Sequence, residues 1–187
     1  MTIQSLLKIT RGLTFSLLLI GCAVSINPIV PESEATFDPK LLGNWEEIRG
    51  QDRAVISRSG PNTYAIEYTK GGKTGKFEAR VGRLREHVIL DVWPVPRKGD
   101  IPDSYKDILL PAHLFLILDV SPDEVALAAL DPDSLLSALR SGQIRLPYKH
   151  SKDELTLTGT TEELRETLGP YLDRFGAFPK REKWRRA

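Results

Sequence analysis

The sequence predicts a mainly β (α+β) domain, an antiparallel meander with two short helices late in the chain. Three observations carry that prediction. From Leu41 onward short runs are separated by turn residues, several runs alternate between an apolar and a charged face, and two late segments carry helix start and stop signals. The candidate strands cover 44–49, 53–58, 62–69, 74–83, 87–93, 113–120 and 125–130. Ser59-Gly60-Pro61, Lys70-Gly71-Gly72-Lys73 and Ser121-Pro122-Asp123-Glu124 connect neighbours. Glycine supplies positive φ and proline presets its own, so hairpins are the economical reading.

Tyr64, Ile66 and Tyr68 share one face of their strand, with Thr63, Glu67 and Thr69 on the other. Phe77, Ala79 and Val81 alternate in the same way with Lys76, Glu78 and Arg80. Such strands keep one side in water. Leu114-Phe115-Leu116-Ile117-Leu118 is apolar on both faces, so its outer side needs a cover, and two helices are available for it. In the first, Asp131-Pro132-Asp133 supplies an N-cap, a proline at the first helical position and an early acid; Leu135, Leu136 and Leu139 form a stripe, and Gly142 stops it. In the second, Thr160 and Glu163 have capping-box spacing, Leu164 and Leu168 lie on one side, and Gly169-Pro170 ends or kinks the helix. Segment 155–158 reads as a further strand and 182–186 as the last. The connection 94–112 holds Pro94, Pro96, Pro102 and Pro111; long loops of this kind are often lids or binding loops.

With 187 residues, 41% hydrophobic and 27% charged, the chain has the composition of one globular domain of ordinary size. Residues 1–21 contain Lys8 and Arg11 and no acid. Their removal leaves 24 basic against 25 acidic residues and turns the net charge from +1 to −1, which argues against a nucleic-acid partner. The single cysteine, Cys22, excludes an intrachain disulfide.

Residues 1–21 read as a signal peptide, with a basic start and the apolar run Leu13-Thr14-Phe15-Ser16-Leu17-Leu18-Leu19-Ile20, far short of the roughly 20 residues that span a bilayer. Leu19-Ile20-Gly21-Cys22 then resembles the bacterial lipobox. The resemblance implies a diacylglycerol on the Cys22 thiol, cleavage just before it, and acylation, commonly with palmitate, of the new amine. Two or three chains at about 0.8 kcal/mol per buried CH2 would anchor the protein stably. The other reading is an ordinary secretory signal, cut after Ala23 or Ser25, with an incidental cysteine. Ala23 stands where inner-membrane lipoproteins of enteric-type bacteria often have Asp, so the resemblance favours the periplasmic face of the outer membrane. Residues 22–37, with Pro28 and Pro31 and no periodicity, read as a lipidated N-terminus and flexible tether, and 38–187 as the single folded domain.

The start of the first strand, Leu41-Leu42-Gly43-Asn44-Trp45-Glu46, is similar to that of lipocalin-like barrels. The resemblance implies a barrel or curved sheet in which Trp45 closes one end and packs against a basic side chain of the last strand, Arg185 or Arg186. An indole–guanidinium stack of that kind is worth about 0.5–1 kcal/mol. Trp45 reads equally as a plain core tryptophan.

The chain has no His-Glu-X-X-His, no Gly-X-Ser-X-Gly and no cysteine pair, and Gly71–Lys76 is one residue short of a phosphate loop, so it reads as a hairpin turn. Asp91 and Asp119 interrupt apolar runs. Each reads as a polar contact inside a cavity or, the commoner case, as a solvent-facing residue near a strand end. His87 and His113 sit at strand starts, where a solvated or capping role is the commoner one. The basic tail 180–186, holding Trp184, reads as a solvated last strand with its tryptophan in the core, against a contact to anionic lipid.

These features predict a non-enzymatic envelope lipoprotein with no metal or cofactor, binding an apolar ligand or another envelope component. The alternative is a structural or partner-binding lipoprotein that docks through the 94–112 loop or the 131–172 helical segment. A hydrolase would need His87 or His113 within hydrogen-bond reach of a nucleophile in a cleft.

Overall fold

The computed structural model describes residues 23–95, 112–152, 154–174 and 181–187. Their strands are β1 (Ala23–Ser25), β2 (Gly43–Glu47), β3 (Arg53–Arg58), β4 (Tyr64–Lys70), β5 (Lys73–Leu84), β6 (His87–Pro94), β7 (His113–Val120), β8 (Glu124–Ala129), β9 (Tyr148–Ser151), β10 (Glu154–Leu157) and β11 (Glu182–Arg186). Two helices, α1 (Pro132–Arg140) and α2 (Thr161–Leu172), complete the fold.

Strands β2 to β8 pair in sequence order, each antiparallel to the next, and β11 inserts between β8 and β2. The result is a closed eight-stranded antiparallel barrel with two helices, mainly β as the hairpin chemistry predicts. Closure leaves none of these eight strands with a free edge. Gly71 and Gly72 form the β4–β5 turn, between paired Lys70 and Lys73, which is the hairpin reading of that segment.

The period-two pattern sorts side chains across the wall. Trp45, Ala54, Tyr64, Ile66, Ala79, Val81, Leu90, Leu118, Val125 and Trp184 form the inner core. The odd positions of β6 and β7, Ile89, Phe115 and Ile117, point out into a second core. There Leu135 and Leu139 of α1, Leu164 and Leu168 of α2, and Leu155 and Leu157 of β10 cover them. This is why 114–118 is apolar on both faces. Burying a Leu or Phe is worth about 1.5–3 kcal/mol, so tertiary packing rather than propensity sustains two helices this short.

The helix starts follow the sequence signals. Asp131 Oδ2 accepts the Ser134 backbone N–H at 3.0 Å, while Thr160 and Glu163 form a reciprocal capping box with N···O distances of 3.2 and 2.8 Å. Of the two readings of Gly169-Pro170, an end or a kink, the structure excludes the end, since the helix runs through Pro170 to Leu172. Tyr171 and Leu172 are both buried, and that burial holds the last turn past the missing N–H.

The largest correction concerns residues 23–37, which are part of the domain and not a tether. β1 pairs antiparallel with β7 and parallel with β10, Ile29 and Val30 are each 1% exposed, and Thr36 bridges to Val81. The prolines deny this segment a regular ladder, so side chains satisfy its backbone instead. Thr161 Oγ1 donates to Pro28 O (2.7 Å), Asn27 Nδ2 to Gly159 O (2.8 Å) and Arg165 Nη1 to Ile29 O (2.9 Å). β9, exposed throughout on the edge of β10, is a further strand the pattern does not reveal.

Candidate functional site

One end of the barrel is plugged. Leu41, Trp45 and Tyr64 are at most 2% exposed there, and Phe37 stacks on Tyr64 with ring centroids 5.0 Å apart. Trp45 Nε1 donates to Leu41 O at 2.9 Å. Arg186 lies 4.6 Å above the Trp45 ring; its Nη1 donates to Leu42 O (2.9 Å), its Nη2 to Lys40 O (3.0 Å) and its Nε to Pro122 O (3.2 Å). The Gly-X-Trp sequence follows from this packing. Gly43 has φ of +127°, and a Cβ there would stand 2.7 Å from Arg186 Nη1. Arg185 takes no part in closure; it faces outward toward Glu46 at 3.7 Å. Arg186→Ala is therefore expected to cost about 1–2 kcal/mol in chemical denaturation, and Arg185→Ala less than about 0.5 kcal/mol.

Toward the other end the side chains do not fill the barrel. A cavity of about 340 Å³ remains, lined by Trp45, Ala54, Ile56, Ile66, Phe77, Leu90, Val92, Leu114, Leu116, Val125, Leu127 and Trp184. Eight strands enclose an interior just wide enough to be filled by side chains or to hold one small ligand, and small residues such as Ala54 and Ala129 leave it in the second state. The volume lies within the roughly 300–1,000 Å³ of small-molecule pockets.

Polar groups gather at the opposite end, where, among the described residues, Lys70, Asp131 and Glu182 join the lining. Tyr68 Oη donates to Asp52 Oδ2, Lys70 Nζ stands 3.5 Å from the same oxygen, and the Tyr68 ring is tilted against Trp184 at 6.2 Å. The Tyr68 phenol is pushed well above its ordinary value, first by burial, then by its bond to Asp52 and by the charges of Asp52, Glu182 and Glu47.

The two aspartates proposed as cavity residues are elsewhere. Asp119 is exposed at the end of β7 and pairs with Arg181, the commoner of the two readings. Asp91 is fully buried, yet its position between Leu90 and Val92 turns it to the outside of the wall. There Oδ2 accepts the backbone N–H groups of Ile29 (2.8 Å) and Val30 (3.1 Å), and Oδ1 lies 2.7 Å from His113 Nδ1. It clamps the N-terminal segment to the barrel. The His113 ring lies 5.4 Å from Trp93, over which Arg80 stands at 5.3 Å.

Ser25 faces His113 across the β1–β7 ladder, but it is fully buried and its Oγ accepts the Asn27 N–H at 3.2 Å. His87 meets Asp173 at 3.0 Å on the surface, and His150 lies exposed on β9. Among the described residues, no three His, Cys, Asp or Glu side chains are grouped to hold a metal ion, and no helix is long and apolar enough to cross a membrane. Cys22 and most of the 94–112 loop lie outside the described residues. The apolar stripes of α1 and α2 are used against the barrel.

The fold is a closed eight-stranded antiparallel barrel with one plugged end and an apolar interior cavity, an architecture consistent with a lipocalin-like barrel. No protein-family model, curated protein or solved structure matches the chain.

Proposed function

We propose that this chain is a non-enzymatic lipoprotein of the bacterial envelope that holds an apolar molecule inside its barrel. The cavity of about 340 Å³, with its overwhelmingly apolar lining, is the observation that carries the reading. The Trp45–Arg186 plug supports it, because a barrel stoppered at one end holds a ligand that enters and leaves by the other. Acylation at Cys22 would anchor the protein, with the outer membrane the favoured location, and Ala23 adds a consequence. That residue is buried and paired with Leu155, so the lipid-bearing residue would directly precede the folded body and hold it against the bilayer.

Two measurements test this. Labelled palmitate should be incorporated into the wild-type protein and lost in Cys22→Ser; equal membrane attachment of both would remove the anchor. Native mass spectrometry of protein extracted from its own cells should show a bound small molecule, released on unfolding. A protein that is consistently empty and that binds no hydrophobic reporter would remove the ligand.

A further inference from the structure

Among the described residues, one polar side-chain atom in the wall of the cavity has no partner. Trp184 lines the void and is 6% exposed, yet its Nε1 is buried and donates to nothing. The other polar side chains of the lining are engaged: Trp45 Nε1 by Leu41 O, Tyr68 and Lys70 by Asp52, Asp131 by the Ser134 N–H, and Glu182 likewise. A buried indole N–H ordinarily finds an acceptor, and leaving it without one forfeits the bond it made with water. Trp184 pairs with Glu47 on β2, two residues along from the Arg186–Trp45 pair. It therefore stands about 7 Å along the strand from the Trp45 floor, inside the barrel and not at its mouth.

We infer that the molecule held in the barrel carries an uncharged hydrogen-bond acceptor within its apolar body, a ketone, ester or ether oxygen, and that Trp184 Nε1–H donates to it. The inference rests on the ligand-cavity reading and specifies its chemistry. In this structure Nε1 is covered while the ring borders the void. The indole therefore turns about its side-chain torsions to present the N–H, and the void gives it room. An uncharged oxygen suits this depth. The surrounding wall is apolar, and a carboxylate brought there to a single donor would have to protonate or withdraw. A plain hydrocarbon fills the space but leaves Trp184 unpaired, whereas a chain bearing a carbonyl satisfies both.

The test compares 2-undecanone with its olefin isostere 2-methyl-1-undecene, which differs only in a CH2 group where the ketone has oxygen. Each displaces the reporter N-phenyl-1-naphthylamine from the Cys22→Ser protein. In protein labelled with 15N-tryptophan, saturating ketone is expected to move the Trp184 indole N–H proton downfield, and the olefin to produce no such shift. Trp184→Phe should weaken the ketone at least about fivefold more than the olefin, since lost packing affects both probes and the lost hydrogen bond only one. The resonance is assigned by its contacts with the Tyr68 ring, so the spectrum decides even if that variant does not fold. Both probes binding with no downfield shift under the ketone, or an equal loss of both in Trp184→Phe, would overturn the inference and leave the ligand cavity standing. Failure of the reporter and both probes to bind the folded protein would remove both.

Discussion

Asp91→Ala is expected to destabilise the protein by about 3–5 kcal/mol, which for a domain of this size lowers the melting temperature by roughly 6–20 °C. The carboxylate is fully buried and serves three partners at once, the amides of Ile29 and Val30 and the ring of His113. Alanine leaves two buried N–H groups without an acceptor and an imidazole without its partner. Each loss costs a desolvation penalty that no water can relieve at that depth. Asp91→Asn keeps one oxygen for the amides and should cost less than half as much. Thermal unfolding followed by circular dichroism gives the magnitude, and hydrogen exchange gives the location. The Ile29 and Val30 amides should lose protection in Asp91→Ala before the barrel strands do. A change below about 1 kcal/mol would show that the clamp is not what holds residues 23–37 down.

Trp45→Ala is the second large effect, at about 3–5 kcal/mol. The indole is 2% exposed, donates to Leu41 O, carries Arg186 on its face and forms the floor of the cavity. Its removal joins the space it filled to the existing void and opens the plugged end. Urea unfolding should report the loss, and a hydrophobic reporter should still bind but dissociate faster, since the plugged end would no longer retain it. Trp45→Phe keeps a ring under Arg186 and should lose less than half as much stability. Unchanged stability in Trp45→Ala would mean that the plug is held by residues 37–42 alone.

Most of the fold was legible because its determinants are local. Tyr64, Ile66 and Tyr68 alternate, Gly71 and Gly72 turn the chain, Thr160 and Glu163 cap a helix, and each signal is complete within a few residues. Trp45 and the basic end of β11 were legible through Gly-X-Trp, and the structure chooses Arg186 because residue parity along β11 turns it, and not Arg185, to the same side as Trp184.

The N-terminal segment was not legible. Its order depends on acceptors and donors supplied by Asp91, Thr161 and Arg165, more than 60 residues away, and nothing periodic marks such a partnership. Asp91 was misassigned for the same reason. The run 114–118, apolar on both faces, announces a cover outside β7, but nothing in β6 itself shows that this second core extends over Asp91, so a carboxylate between Leu90 and Val92 reads as a cavity or solvent-facing residue. The polar end of the cavity had a signal that a closer parity count would find, since Glu47 and Lys70 each follow an inward-facing aromatic by two residues and Glu182 precedes one by two.

The most direct test of the central claim is a titration of N-phenyl-1-naphthylamine into the Cys22→Ser protein with and without Ala54→Phe. Ala54 lines the cavity beside Trp45, its partner across the β2–β3 ladder, so a phenyl group there fills existing space and should shift stability by less than about 1.5 kcal/mol. Saturable binding to the parent, weakened at least tenfold in an Ala54→Phe variant that remains folded, is the expected result. No saturable binding to the parent, or equal binding to both proteins, would contradict a ligand inside the barrel.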